Sequence, residues 1–285
     1  MSDPREALEA VGQLPDVEID LAGAAIQLAR IDAPDADWQA ALAHLSELAR
    51  GAVDLARGMA STDLPARAGA LAGLITGRHR YAGDTDDYDG AANANLIQVT
   101  ERRRGLPVSL GILWLHCTRA AGWGAHGIDF PGHFLLALEG VSTKRRNRPA
   151  EQQQTVLDVF AGGVPLDARD MRGLLKRIEG PDAELRPGVL QPMSSRSVLL
   201  RLQNNIKGRR LQAGDTSGAL ACTEDMLRIA PDAAMLWREA AQLHASLDQV
   251  AAALKCYGKF MELVPHGEAA QRTQSAMDAL RTRLN

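Results

Sequence analysis

The stretch at residues 93–134, NANLIQVTERRRGLPVSLGILWLHCTRAAGWGAHGIDFPGHF, decides the fold. A break at Gly105 precedes apolar residues at helical spacing, and this pattern ends at Gly122. An apolar run at residues 134–138 follows, with His133 at its entrance. The stretch therefore predicts a helix followed by a strand, and a histidine at the beginning of that strand.

The composition is that of an ordinary globular protein. The chain has 285 residues, of which 46% are hydrophobic and 24% charged, enough for a sizeable core and two domains. A net charge of −3 gives no overall attraction to nucleic acid or to anionic membranes. Three cysteines, no signal peptide pattern and no apolar run of about 18 residues predict a cytoplasmic protein without a membrane segment.

The first third of the chain is predicted to be a helical layer. Amphipathic patterns cover residues 17–31 and 35–59, and a third helix begins near Asp63. The loop at residues 81–90 contains four aspartates, but no register of the loop matches an EF-hand. A solvated acidic loop is therefore favoured over a calcium site.

The predicted helix at residues 93–104 ends in three arginines, Arg102, Arg103 and Arg104. Basic residues suit the negative end of a helix dipole, and Gly105 suits the position after the helix. Alternatively, the three arginines form an anion-binding site beside the N-terminus of the next helix.

Two strands are predicted at residues 133–139 and 155–160, paired as an antiparallel hairpin. The arm between them carries the basic run KRRNR at residues 144–148. A solvated loop is favoured over a phosphate or RNA contact, because no aromatic residues interleave with the basic ones for stacking.

A 34-residue period follows a Pro- and Gly-rich boundary. Ala219 and Ala253 are 34 residues apart, as are Pro231 and Pro265, and this is the length of a tetratricopeptide repeat (TPR). A plain helical bundle with a coincidental period is the alternative. The predicted peptide-binding residues of the second repeat are Trp237, His244 and Tyr257.

Three residues form a possible nucleophile, base and orienting group: Ser109 at a helix start, His133 on one strand and Asp158 on the next. Each also has a structural interpretation. Ser109 is an ordinary polar residue of a first helical turn, His133 a satisfied structural histidine, and Asp158 a cap for the turn that follows it.

The sequence also resembles a bacterial family. The motifs NANL, ERRRGLPVSL, FPGHF and LDVFAGG, which begin at Asn93, Glu101, Phe130 and Leu157, are similar to those of SirB-type proteins. The resemblance implies a transglutaminase-like, papain-like core followed by TPR repeats. It also implies a Cys-His-Asp triad in which His133 is the base and Asp158 the orienting group.

The cysteine of that triad has no counterpart at the helix start, where residues 107–109 are Pro, Val and Ser. Cys117 lies about 12 Å further along the helix and is predicted to be a buried small hydrophobe. A zinc site from His116, Cys117, His126 and His133 matches no strong ligand spacing. No metal and no cofactor are predicted.

The predicted fold class is α+β, with helical N-terminal layers and a small antiparallel sheet in a transglutaminase-like domain at residues 1–180. A linker at 181–196 and an all-α TPR-like domain at 197–285 complete the chain. The favoured function is a non-catalytic, transglutaminase-like module that binds a protein or peptide through its core cleft and TPR tail. The first alternative is an acyl hydrolase or transferase using Ser109, His133 and Asp158. A weaker alternative is a nucleic-acid accessory role through the two arginine clusters.

Overall fold

The computed structural model describes residues 3–59, 63–141, 152–186 and 188–282. These residues form two compact units, one made of residues 1–19 with 199–285 and the other of residues 20–198. Within the described ranges, every helix is too short or too polar to span a bilayer.

The helices, in chain order, are α1 (Pro4–Gln13), α2 (Leu21–Asp32), α3 (Trp38–Ala56), α4 (Leu64–Ala72), α5 (Leu96–Arg102), α6 (Pro107–Ala120), α7 (Ala168–Glu179), α8 (Ser195–Gln212), α9 (Thr216–Ile229), α10 (Ala234–Ser246), α11 (Val250–Leu263) and α12 (Glu268–Thr282). The strands are β1 (Ala82–Gly83), β2 (Arg104–Gly105), β3 (Ala125–Phe130), β4 (His133–Val141), β5 (Gln152–Asp158) and β6 (Val164–Leu166). The mixture of a helical layer, a small sheet and an all-helical second region confirms the α+β prediction.

The first helices of the unit at residues 20–198 begin at aspartate caps. The side chains of Asp20, Asp37 and Asp63 each accept a hydrogen bond from the backbone N–H three residues further on. Such caps satisfy donors that a helix start leaves unpaired. The predicted helical layer is confirmed by α2, α3 and α4, and the third helix begins beside Asp63 as predicted.

The helix predicted at residues 93–104 is shorter at both ends in the structure. Only residues 96–102 form α5, and Asn95 caps its start with hydrogen bonds from two backbone N–H groups. The helix ends at Arg103, which has a left-handed φ of 59°, instead of at Gly105, which pairs in β2. The prediction of Gly105 as the residue that ends the helix was therefore wrong.

Strands β3, β4, β5 and β6 form an antiparallel meander in chain order. The predicted pairing of β4 with β5 is confirmed, whereas β3 and β6 were not predicted. The apolar run of β4 is buried on both faces of the sheet. Phe134 lies close to Gly111 of α6, and Leu135 packs in a cluster with Met171 of α7.

The segment after α7 packs on the same sheet. Met193 donates its backbone N–H to the carbonyl of Gly127, and Pro192 forms a bridge with Ile128 of β3. Leu185 and Leu190 pack against the cluster formed by β3, β4 and α7. Residues 183–186 and 188–193 therefore lie along the sheet, while Pro187 lies outside the described residues.

The second unit contains the repeats. Ala219 and Ala253 occupy equivalent buried positions in α9 and α11, and Pro231 and Pro265 follow the ends of these helices. Small residues at such positions let paired helices approach closely. Met277 and Leu280 of helix α12 pack in the same core as α10 and α11, so α12 covers the last pair.

Helix α1 packs against α9 in this unit. Arg5 pairs with the buried Asp225 at 3.1 Å. Close approach of the two helices requires Gly12, since a Cβ there would lie 2.1 Å from the carbonyl oxygen of Arg228. The sequence assigned residues 1–19 to the first domain, and its domain boundaries stay predictions.

Candidate active site

A tight turn places His133 at the beginning of β4. Pro131 and Gly132 connect β3 to β4, and Gly132 has a φ of +63°, which suits glycine. Phe130 pairs with His133 across this hairpin, and the flanking Phe130 and Phe134 are fully buried. The FPGHF motif is thus a hairpin that anchors two phenylalanines in the core and holds a buried histidine between them.

The structure brings His133 and Asp158 together. The Nε2 atom of His133 lies 3.0 Å from Oδ1 of Asp158, which ends β5. The same oxygen accepts hydrogen bonds from the backbone N–H groups of Phe160 (3.1 Å) and Ala161 (3.2 Å). The aspartate therefore both orients the imidazole and caps the turn that follows β5.

These contacts keep the Asp158 carboxyl ionised. Burial acts to raise the pKa of Asp158, but the hydrogen bond and charge of His133 and the two backbone N–H groups outweigh it. The pKa of Asp158 is consequently held below its ordinary value. A carboxylate that bonds one imidazole nitrogen fixes the orientation and the tautomer of the ring, and so determines whether the other nitrogen carries a proton. A catalytic base and its orienting group have this arrangement.

Ser109 is directed elsewhere. Its side chain is in the first turn of α6 and is 0% exposed. Its hydroxyl lies 2.8 Å from the carbonyl oxygen of Asn93 and 3.0 Å from that of Leu106, and it donates to these acceptors. This is the structural interpretation of Ser109, and the geometry offers no support for a nucleophilic role.

No side chain caps the start of α6, where Leu106 precedes Pro107. Cys117 lies further along the same helix and is fully buried, and this burial raises the pKa of its thiol to about 12. A thiol in that state is neutral and inert at physiological pH. Cys117 therefore behaves as the small hydrophobic residue that the sequence predicts.

Two of the three predicted anion-binding arginines hydrogen-bond to side chains of the protein, and the third to backbone carbonyls. Arg102 pairs with Asp84 at 2.8 Å and with the side chain of Asn93 at 2.9 Å. Arg103 donates to the hydroxyl of Tyr81 at 2.6 Å and lies over its ring. Arg104 is exposed and donates to two backbone carbonyls. An anion-binding role for Arg102–Arg104 stays a prediction, and residues 144–148 lie outside the described residues.

The asparagines of the NANL motif were missed by the sequence interpretation. Asn93 is fully buried and donates to the carbonyl of Asp87, while its own carbonyl accepts from Ser109. Asn95 caps α5 and donates to the carbonyl of Ala29 in α2. These residues join α2, α5 and α6, so this motif is structural. An asparagine just before an apolar run was the available signal for the cap.

A second group missed by the sequence comprises His44, Glu47 and His79, whose ligand atoms lie within 4.8 Å of one another. Burial and, for His44, the nearby Arg103 hold the pKa of both histidines below the ordinary value, so the imidazoles are neutral. Neutral imidazoles and carboxylates are groups that commonly bind zinc. However, the Arg103 guanidinium lies 3.4 Å from Nδ1 of His44 and already places a positive charge there.

In the repeats, the predicted binding residues separate into two groups. Trp237 and His244 line a groove, whereas Tyr257 is only 5% exposed and belongs to the hydrophobic core between α10 and α11. The prediction that Tyr257 faces a ligand conflicts with this burial. Cys256, its neighbour on α11, lines the groove instead.

Comparison with known proteins agrees with this architecture. Residues 37–204 match the model of the transglutaminase-like superfamily, and residues 206–283 match a tetratricopeptide repeat model. A UPF0162 protein of Pseudomonas aeruginosa is 30% identical over 250 residues, which are 86% of this chain and 84% of that protein. A UPF0162 protein of Xylella fastidiosa is 29% identical over 188 residues, or 65% of this chain, and the match spans 63% of that protein's length. Human F-box only protein 21 is 39% identical over 57 residues, which are 20% of this chain and 9% of that protein. The chain therefore belongs to the transglutaminase-like superfamily and, within it, to the SirB-type UPF0162 proteins, in which TPR repeats follow the core.

Proposed function

We propose that this chain is a non-catalytic transglutaminase-like protein that binds a protein or peptide partner through its core cleft and TPR repeats. The observation that carries the proposal is the placement of Ser109. A nucleophile must present its oxygen to substrate and pass its proton to a base. The Ser109 hydroxyl is fully buried and donates to two backbone carbonyls.

The retained His133–Asp158 pair fits this proposal as part of the scaffold. Asp158 caps its turn and His133 stacks edge-on against Phe160, with ring centroids 6.0 Å apart. Both residues therefore have a structural role at the end of the sheet that does not depend on a catalytic reaction. The enzyme alternative, an acyl hydrolase or transferase using Ser109, rests on the same 3.0 Å pair.

The groove of the repeat unit supports the binding role. It encloses about 530 Å³ and has an aromatic wall formed by Trp237, whose Nε1 donates to the carbonyl of Pro231. Its charged groups have both signs, with Glu9 3.4 Å from Arg228 and Glu224 3.6 Å from the His244 imidazole. An aromatic wall with flanking charges suits a peptide that inserts one apolar side chain.

Replacing Trp237 with alanine tests the groove. Because tryptophan at an interface is commonly worth about 2 kcal/mol or more, we expect partner recovery to fall at least about tenfold. The measurement is a pulldown from lysate of the source organism, with bound proteins quantified by mass spectrometry. The control is Met235→Ala, since Met235 is 61% exposed on the same helix and does not line the groove.

Circular dichroism establishes that both variants fold. Equal partner recovery by wild type and a folded Trp237→Ala variant would remove the groove from the proposal. Tyr257 is left unchanged because its burial would confound a loss of binding with a loss of stability.

A further inference from the structure

Arg67 is a mostly buried arginine whose guanidinium packs against an aromatic ring. It lies on α4 and is only 7% exposed. Its Nε atom is buried without a hydrogen-bond partner, and no carboxylate within the described ranges pairs with its guanidinium. Burial of an unpaired charge is costly, and arginine does not relieve the cost by losing its proton. Such a residue is expected to have a ligand.

The surroundings hold the guanidinium in place without using its N–H groups. Arg67 lies over the ring of Trp123, with Cζ 5.1 Å from the ring centroid. Contact with an aromatic face leaves the in-plane donors of arginine available. Helix α4 is itself seated on β4, where a Cβ on Gly140 would lie 2.8 Å from Leu64. The donors are thus preorganised.

Arg67 lines a cavity of about 690 Å³ at this end of the sheet. That volume is in the range of small-molecule sites. Gln153, Gln154, Glu139 and His126 also line the cavity. The Nδ1 atom of His126 lies 2.7 Å from Glu139, so that carboxylate is engaged, while Nε2 of His126 is buried without a partner among the described residues.

This cavity is separate from the His133–Asp158 pair. Glu139 and His133 lie at opposite ends of β4, six residues apart, which corresponds to about 20 Å at about 3.3 Å per residue. The cavity therefore does not belong to the candidate active site, and its ligand is independent of the proposed function.

We propose that the cavity binds a small oxyanion, a carboxylate or a phosphate, whose oxygens accept hydrogen bonds from the Arg67 guanidinium. The planar fork of arginine matches either group with two parallel N–H···O bonds. Gln153 and Gln154, which also line the cavity, offer polar groups to the rest of the ligand. Glu139 disfavours an anion at its own side of the cavity and so directs the oxyanion to Arg67.

The test is isothermal titration of the full chain with two probes, inorganic phosphate and malonate. Wild type is expected to bind at least one probe with 1:1 stoichiometry, and Arg67→Gln to bind it at least tenfold more weakly. Arg172→Gln is the control, since Arg172 is an exposed arginine on α7 outside the cavity and its loss changes the net charge equally. Binding of phosphate alone assigns a phosphate ligand, and binding of malonate alone assigns a carboxylate.

Thermal melting separates a ligand-binding role of Arg67 from a structural role. If Arg67 binds a ligand, Arg67→Gln and Arg67→Met, measured without that ligand, are expected to melt no lower than wild type, because each removes a buried charge that has no carboxylate partner. Failure of wild type to bind either probe, or unchanged affinity in Arg67→Gln, would overturn the proposal. Failure of both variants to fold would also overturn it, by assigning Arg67 to the scaffold.

Discussion

Replacing Gly163 with alanine is expected to destabilise the chain by about 2–5 kcal/mol, the combined cost of overpacking a core and of a left-handed backbone with a side chain. Gly163 lies in the turn after Asp158 and has a φ of +83°. A Cβ there would lie 2.2 Å from Cη2 of Trp114, a fully buried residue of α6. Because the substitution strains a turn packed against a buried residue of α6, the loss should appear in the free energy of unfolding measured by urea titration.

Gly162 provides the matched control. It has the same φ of +83°, but a Cβ at this position would meet only Cγ2 of Thr76, at 3.7 Å. Gly162→Ala should therefore cost only the backbone strain, about 1–2 kcal/mol. Equal destabilisation by the two substitutions would show that contact with Trp114 does not constrain this turn.

Replacing Asp158 with asparagine is expected to cost about 1.5–3 kcal/mol at pH 7, the usual worth of hydrogen bonds to a charged group. Asparagine keeps the size of the side chain but removes the charge that His133 and the N–H groups of Phe160 and Ala161 stabilise. The loss should be measured as the difference in unfolding free energy between the variant and wild type.

This loss should depend on pH with a defined sign. The native pKa of Asp158 is depressed, so the charge contributes stability above the unfolded pKa of about 3.9. That contribution disappears as the pH falls through the lower native pKa. The difference between Asp158→Asn and wild type should consequently shrink below about pH 4. A difference of the same size at pH 7 and at the acid end would contradict the role given to the carboxylate, and Asp86→Asn, in an exposed loop, serves as the control.

The sequence predicts those parts of the molecule that depend on local pattern. The period between Ala219 and Ala253 identifies the repeats, and two apolar runs predict that β4 and β5 pair. This pairing brings His133 and Asp158 together. Strand β3 was missed because its glycine, Gly127, resembles a chain break, although in the structure the absent side chain makes room for Phe134.

The direction of a single side chain is not encoded in local pattern. Ser109 occurs where a nucleophile or a first-turn residue would both be expected, and only the folded chain shows that Asn93, sixteen residues earlier, supplies its acceptor. The group formed by His44, Glu47 and His79 likewise depends on the packing of distant segments. So does the unpaired charge of Arg67, since exposure and missing partners are properties of the tertiary structure.

Labelling with a fluorophosphonate probe tests most directly whether the core lacks a working nucleophile. The buried, hydrogen-bonded Ser109 predicts that wild type and Ser109→Ala show the same background labelling near neutral pH. Stoichiometric labelling of wild type that is lost in Ser109→Ala and in His133→Ala, with both variants folded, would contradict the non-catalytic account and establish a serine enzyme.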